Sequence, residues 1–135
     1  MESGSIGSGP IGSGPAGSAH VEAGCLFCRI VSGEIPADIV LRTAKSVAFN
    51  DIAPQAPVHV LVVPELHVID ASTVSADDAD SVADLFLTAQ QVAHKLGIDS
   101  GGYRLVANVG EDAGNTVSHL HLHLLGGRNL NWPPG

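Results

Sequence analysis

The alternation His119-Leu120-His121-Leu122-His123-Leu124 constrains this chain more than any other stretch of it. Period two is the repeat of a β-strand, so three imidazoles share one face and the leucines share the other. Such a strand has one apolar face to bury and one face carrying groups that serve as nucleophiles, proton carriers or metal ligands near neutral pH. Alternate residues lie roughly 6–7 Å apart, close enough for neighbouring rings to converge on one atom or to bracket a phosphate. A metal site and a covalent phosphoryl-transfer site both remain open on this pattern alone, beside the plainer reading of a solvated polar face.

The segment before it, Asn108-Val109-Gly110-Glu111-Asp112-Ala113-Gly114-Asn115-Thr116-Val117, is a Gly-rich turn ending in neutral donors. Backbone N–H groups in such a turn can line up on an anion, and Asn108, Asn115 and Thr116 add side-chain hydrogen bonds suited to phosphate oxygens. That favours phosphate over metal chemistry, while an ordinary hairpin loop with Gly and Asn in left-handed positions remains the structural alternative.

The 135-residue chain starts with a stretch of Gly, Ser, Pro and isolated Ile in which Ile6-Gly7-Ser8-Gly9-Pro10 is repeated directly. Residues 1–24 are expected to be a disordered leader or an added tail, without the charged and apolar regions of a secretory signal and without a membrane span. Residues 25–135 then suffice for one compact domain. A net charge of −8, from 14 acidic against six basic residues, argues against a nucleic-acid backbone as partner. A small anion remains acceptable where histidines and donors supply local positive potential. Two cysteines and 44% hydrophobic residues fit a cytoplasmic protein with no membrane partner.

Leu26–Val31 reads as a short helix stopped by Gly33 and Pro36. Asp38–Arg42 and Ser46–Asn50 read as a hairpin about Thr43-Ala44-Lys45. Pro54 and Pro57 make 51–57 a rigid loop, and Val58–Val63 resumes β character. One long helix is expected from Ala76 to Leu96, with Ser75 and Asp78 as a capping box, Gly97 as the stop, and Val82, Phe86, Ala89, Ala93 and Leu96 as its core stripe. Tyr103–Asn108 and the histidine run complete an α+β antiparallel arrangement. Trp132, beside Pro133 and Pro134, is expected to dock against a second subunit or to wall a pocket.

His119-Leu120-His121-Leu122-His123-Leu124-Leu125-Gly126-Gly127 resembles the signature of the histidine triad (HIT) family, and Trp132-Pro133-Pro134-Gly135 is similar to the ending of its Hint branch. Phe27, Gly33-Glu34-Ile35-Pro36, Asp51-Ile52, Pro54-Gln55-Ala56-Pro57, His59 and Tyr103-Arg104 stand in family order, so the likeness covers Cys25 to Gly135. The resemblance implies a five-stranded antiparallel sheet with one long and one short helix, continued across a homodimer. It implies a hydrolase of nucleoside 5′-phosphoramidates, or of acyl-nucleotide mixed anhydrides, that releases a purine nucleoside monophosphate such as AMP or GMP with no catalytic cofactor. His121 would be the nucleophile, with His123 and His59 around the phosphoryl group and Thr116 as proton donor to the leaving group. Leu26, Phe27, Ile30, Phe49 and Ile52 would line the purine slot and Asp51 would hold the ribose. Asn108, Gly114, Asn115 and Thr116 would hold phosphate oxygens, and Trp132 would reach the partner's site.

Two departures stand out. Asn115-Thr116 replaces a common Gln-Ser, and Asn50 replaces a common His. The resemblance also matches Cys25, Cys28, His67 and His119 to a structural zinc set found in bacterial-type members. Dinucleoside polyphosphate cleavage, a nucleotide-binding scaffold with little turnover, and a metal sensor are the competing functions.

Overall fold

The computed structural model describes residues 24–135. The leader expected over residues 1–24 therefore lies outside the described residues, apart from Gly24. Five strands, β1 (Ile39–Arg42), β2 (Ser46–Asn50), β3 (Val58–Pro64), β4 (Tyr103–Val106) and β5 (Leu122–Gly126), form one antiparallel sheet in the order β1-β2-β3-β5-β4. A six-residue helix α1 (Leu26–Val31) covers one face and a 17-residue helix α2 (Ala79–Lys95) covers the other.

The sheet alternates as period two requires. Ala48, Val60, Val62, Leu122 and Leu124 pack beneath α2, and Val47, Phe49, Leu61 and Val63 pack beneath α1 with Phe27, Ile30 and Val31. Leu61 stands opposite His123 and His59 opposite Leu125, so the histidines share the α1 face. Both faces are thus buried near the centre, and the chemistry lies where the short α1 leaves room.

Three sequence expectations need correction. The ladder of β5 begins only at Leu122, because the Leu120 N–H donates to the Val68 carbonyl at 2.6 Å rather than to a neighbouring strand. His119 and His121 therefore precede the strand although their side chains keep the alternation. The helix expected over 76–96 is a 3-10 turn, Ala76–Asp78, followed by α2; the Ser75–Asp78 capping box is present, with the Ser75 N–H donating to Asp78 Oδ2 at 3.0 Å.

The core stripe of α2 is also rotated from its expected position. Ala89 and Ala93 are buried as expected, but the other buried residues are Leu85, Thr88 and Val92, whereas Phe86 is 48% exposed and Leu96 37%. Thr88 explains the rotation. Its hydroxyl lies 2.9 Å from that of Thr43, which donates to Asp84 Oδ2 at 2.7 Å, so a polar side chain is satisfied inside and pins α2 to the β1–β2 turn.

Candidate functional site

His121 is buried, and its Nδ1 lies 2.7 Å from the carbonyl oxygen of His119. A carbonyl only accepts, so Nδ1 carries the proton and the lone pair of the neutral ring is on Nε2. The edge of Phe27 meets this ring at a centroid distance of 5.0 Å and 82°, which holds its plane. Burial pushes the pKa of His121 down, so the neutral form is the resting one.

The neighbouring rings are ordered by the same logic. The Gln55 backbone N–H donates to His59 Nδ1 at 3.0 Å, so the proton of neutral His59 is on Nε2, 2.9 Å from His123 Nδ1 and 3.4 Å from Asp51 Oδ2. His123 Nδ1 accepts that proton's hydrogen bond, which puts its own proton on Nε2. Burial first, then the charges of His121 and His59, push His123 down to about 4. Asp51, His59 and His123 bring three ligand atoms together, yet a cation at His59 Nε2 would have to displace the proton that the Gln55 N–H fixes there. The trio is a hydrogen-bond relay.

A second cluster lies directly behind it. Cys25 Sγ is 3.2 Å from His119 Nδ1, Cys28 Sγ is 3.2 Å from His67 Nδ1 and 3.5 Å from His119 Nδ1, and the two Nδ1 atoms are 3.2 Å apart. A tetrahedral ion about 2.3 Å from sulfur and about 2.0 Å from nitrogen separates its ligands by roughly 3.3–3.8 Å, so the four donors stand nearly where such an ion needs them. The Pro64 carbonyl accepts from His119 Nε2–H at 2.9 Å, leaving the Nδ1 lone pair aimed at the thiols. The Cys28 hydrogen bond, aided by His119 and His67 and opposed by burial, pushes the Cys25 thiol down to about 2. The cluster offers a metal site.

The remaining expected residues are distributed as follows. Phe27, Ile30 and Phe49 are buried together in the core, while Leu26 is 45% exposed and Ile52 fully so. Asp51 Oδ1 accepts the Ala53 N–H at 2.8 Å. In the Gly turn, Gly110 and Gly114 both have a φ of 80°, and the N–H groups of Gly114 and Asn115 are spent on the carbonyls of Glu111 and Gly110. The amide oxygen of Asn115 is buried with no hydrogen-bond partner. Asn108 is half-buried and Thr116 exposed. Thr116 shares with Cys25, Leu26, His67 and Ser118 the wall of a cavity of about 410 Å³. Asn50 is engaged elsewhere, donating to Asp38 Oδ2 at 2.8 Å.

Trp132 is 80% exposed, and the Arg104 guanidinium lies 5.9 Å from its ring centroid while donating to the Leu130 and Asn131 carbonyls. Sequence reasoning missed three groups: the Gln55 N–H, the Pro64 carbonyl, and the edge of Phe27 on His121. Two of them are backbone groups, whose placement leaves no trace in residue type.

A five-stranded antiparallel sheet with one long helix, carrying three alternate histidines of fixed tautomer, defines a protein of the histidine triad class. The chain belongs to the HIT family, whose domain model matches residues 32–130. An uncharacterised HIT-like protein of Synechococcus elongatus is 46% identical over 110 residues, 82% of this chain and 96% of that protein. The crystal structure of a HIT family hydrolase from Legionella pneumophila is similar with a TM-score of 0.80 at 47% identity, covering 82% of this chain and 99% of that one. A histidine triad nucleotide-binding protein from Candida albicans gives 0.70 at 31% identity, with 81% and 82% covered. Among the described residues, no helix is long and apolar enough to cross a membrane.

Proposed function

We propose that this protein is a Hint-type hydrolase of the cytoplasm that cleaves nucleoside 5′-phosphoramidates, or acyl-nucleotide mixed anhydrides, to a purine nucleoside monophosphate. The observation that carries the reading is the His121 Nδ1–His119 carbonyl hydrogen bond of 2.7 Å, which leaves Nε2 as a neutral nucleophile in a buried ring. The names of two relatives, a hydrolase and a nucleotide-binding protein, agree with it.

In the proposed reaction His121 Nε2 attacks the α-phosphorus and the phosphorus–nitrogen bond breaks. The leaving nitrogen departs with its electron pair and takes a proton from the Thr116 hydroxyl, which regains one from solvent. The ring becomes a nucleotidyl-imidazolium whose charge is spread onto Nδ1–H and the His119 carbonyl. Water then attacks phosphorus from the opposite side, loses a proton to solvent, and returns His121 neutral. His123 Nε2–H donates to a phosphoryl oxygen, and His59, held by the Gln55 N–H, keeps that donor in place. Asn108, Asn115, Thr116 and the turn at Gly114 hold the other oxygens, with the donation from Thr116 onward because the two preceding N–H groups close the turn.

The base would sit against Leu26 and Ile52, the exposed apolar residues in front of buried Phe27, Ile30 and Phe49, with Asp51 accepting from the ribose hydroxyls. The leaving group would occupy the cavity that Thr116 shares with Leu26. The Cys₂His₂ set would hold zinc with no open position, joining α1 to the sheet.

The assembly in this reading is a homodimer with a continuous sheet. β4 is an edge strand whose Tyr103 and Leu105 are only partly buried against the core beneath α2, so this end of the sheet is open to pairing. Assay with an adenosine 5′-phosphoramidate tests the reading: His121→Ala should abolish AMP release while AMP still binds. Release at the wild-type rate by His121→Ala, or none by the wild type on any phosphoramidate or acyl-nucleotide, overturns it.

A further inference from the structure

We propose that the Cys25–Cys28–His67–His119 centre positions the nucleophile, with His119 as a positioning residue that transmits metal occupancy to His121. The inference rests on the reading of His121 as the attacking group.

One residue serves both clusters. The ring of His119 presents Nδ1 to Cys25, Cys28 and His67, while its carbonyl takes the proton of His121 Nδ1 at 2.7 Å. Its side chain is fully buried, and Nε2 is bound to the Pro64 carbonyl at 2.9 Å. No β-ladder holds this residue, since β5 starts three positions later. Its orientation is therefore set by its ring contacts and by the Leu120 N–H bond to Val68. A bound ion fixes that ring from the side opposite Pro64, and the carbonyl two bonds from its Cβ is fixed with it.

A second connection runs through α1. Cys25 caps this helix, its sulfur accepting the Cys28 N–H at 3.3 Å, and Phe27, between the two cysteines in sequence, makes T-shaped ring contacts with His121 and His119. At six residues α1 is too short to hold itself together, so its seat depends on its apolar contacts and on the cluster. Loosening the cluster frees both the carbonyl that sets the tautomer of His121 and the aromatic edge that sets its plane. A ring that turns over presents Nδ1 to phosphorus, or Nε2–H, and neither attacks at the same position. The expected consequence is a loss in kcat, accompanied by whatever change in KM the loosened α1 brings through Leu26, Phe27 and Ile30.

The test has two arms. In the first, the protein is loaded with cobalt(II) and titrated with AMP while the visible d–d absorption is recorded. Coupling predicts a shift of those bands that saturates with AMP binding and is lost in His121→Ala. Unchanged bands at saturating AMP, or the full shift retained in His121→Ala, overturn the proposal. In the second, zinc-loaded and chelator-stripped protein are compared under reducing conditions on a phosphoramidate, with circular dichroism confirming that both are folded. Coupling predicts a fall in kcat of about tenfold or more, restored by zinc.

Equal kcat in the two forms overturns the coupling, as does a loss that only tracks unfolding. If stripped protein does not fold, the cobalt arm alone decides. Absence of turnover in every form, with the AMP-dependent shift present, would defeat the hydrolase reading and leave the coupling standing.

Discussion

At the scale of single residues, the site is a set of protons assigned by backbone groups. The His119 carbonyl, the Gln55 N–H and the Pro64 carbonyl each choose one tautomer, and together they leave a lone pair on His121 Nε2, a donor on His123 Nε2 and a lone pair on His119 Nδ1, as the proposed roles require. The sequence displayed the three rings and their common face, which is why the histidines, Cys25, Cys28 and His67 were recognisable. It did not display which nitrogen of His59 or of His119 bears the proton, because residue type carries no information about a backbone N–H in a loop or a carbonyl 55 positions away. A pH dependence follows from the depressed His123. An ordinary histidine titrates at 6.5, and His123 titrates at about 4 because burial disfavours its cation. Between these values the unfolded chain takes up a proton that the native protein refuses, so stability falls as pH drops through this window and levels off below it. Urea titrations from pH 7 to 4 should show His123→Gln with a shallower decline than the wild type. Parallel slopes would contradict the assignment. The acid limb of kcat/KM should likewise lie below 6.5, since His121 is also held neutral by burial.

At the scale of elements, periodicity located every strand but did not set the rotation of α2. Counting apolar residues at three- and four-residue steps selects Ala89 and Ala93, which are buried, together with Val82, Phe86 and Leu96, where the helix instead turns Leu85, Thr88 and Val92 inward. The difference is a buried threonine. Thr88 counts as polar in a hydrophobic pattern, yet with Thr43 and Asp84 available to bond, its interior position costs little. The same limit explains β5, where alternation continues past the hydrogen-bonded ladder because side-chain facing and backbone pairing are separate properties. Paired truncations distinguish the two rotations of α2. Leu85→Ala removes a side chain 1% exposed and should cost about 2–5 kcal/mol in denaturant unfolding. Phe86→Ala removes one that is half-exposed and should cost well under half as much within a subunit. The reverse order would restore the stripe that the sequence pattern favoured.

At the scale of the whole molecule, the sheet separates stability from chemistry, with α2 and most of the core on one face and the histidines with α1 on the other. The face beneath α2 thins at β4, where Tyr103 and Leu105 are only partly buried, and the C-terminal segment that Arg104 ties to that strand holds Trp132 out at 80% exposure. An indole so exposed loses apolar burial that a second subunit would restore. In the homodimer proposed above, sedimentation equilibrium should give twice the 13.8 kDa chain mass. Phe86→Glu with Leu87→Glu tests whether the exposed side of α2 joins that interface, by returning the mass to one chain. Whether Trp132 serves its own site or its partner's is separable by complementation. Two inactive or weakened chains, His121→Ala and Trp132→Ala, are mixed, dissociated and reassociated. If each indole serves the other subunit, the mixed dimer pairs the intact His121 of one chain with the intact Trp132 of the other. Random reassociation of equal amounts then makes about a quarter of all sites fully wild-type. If each indole serves its own subunit, no site in the mixture contains both, and activity stays at the average of the two parents. Activity above that average therefore assigns Trp132 to the neighbouring site, and its absence in a mixture shown to contain mixed dimers returns the residue to its own chain.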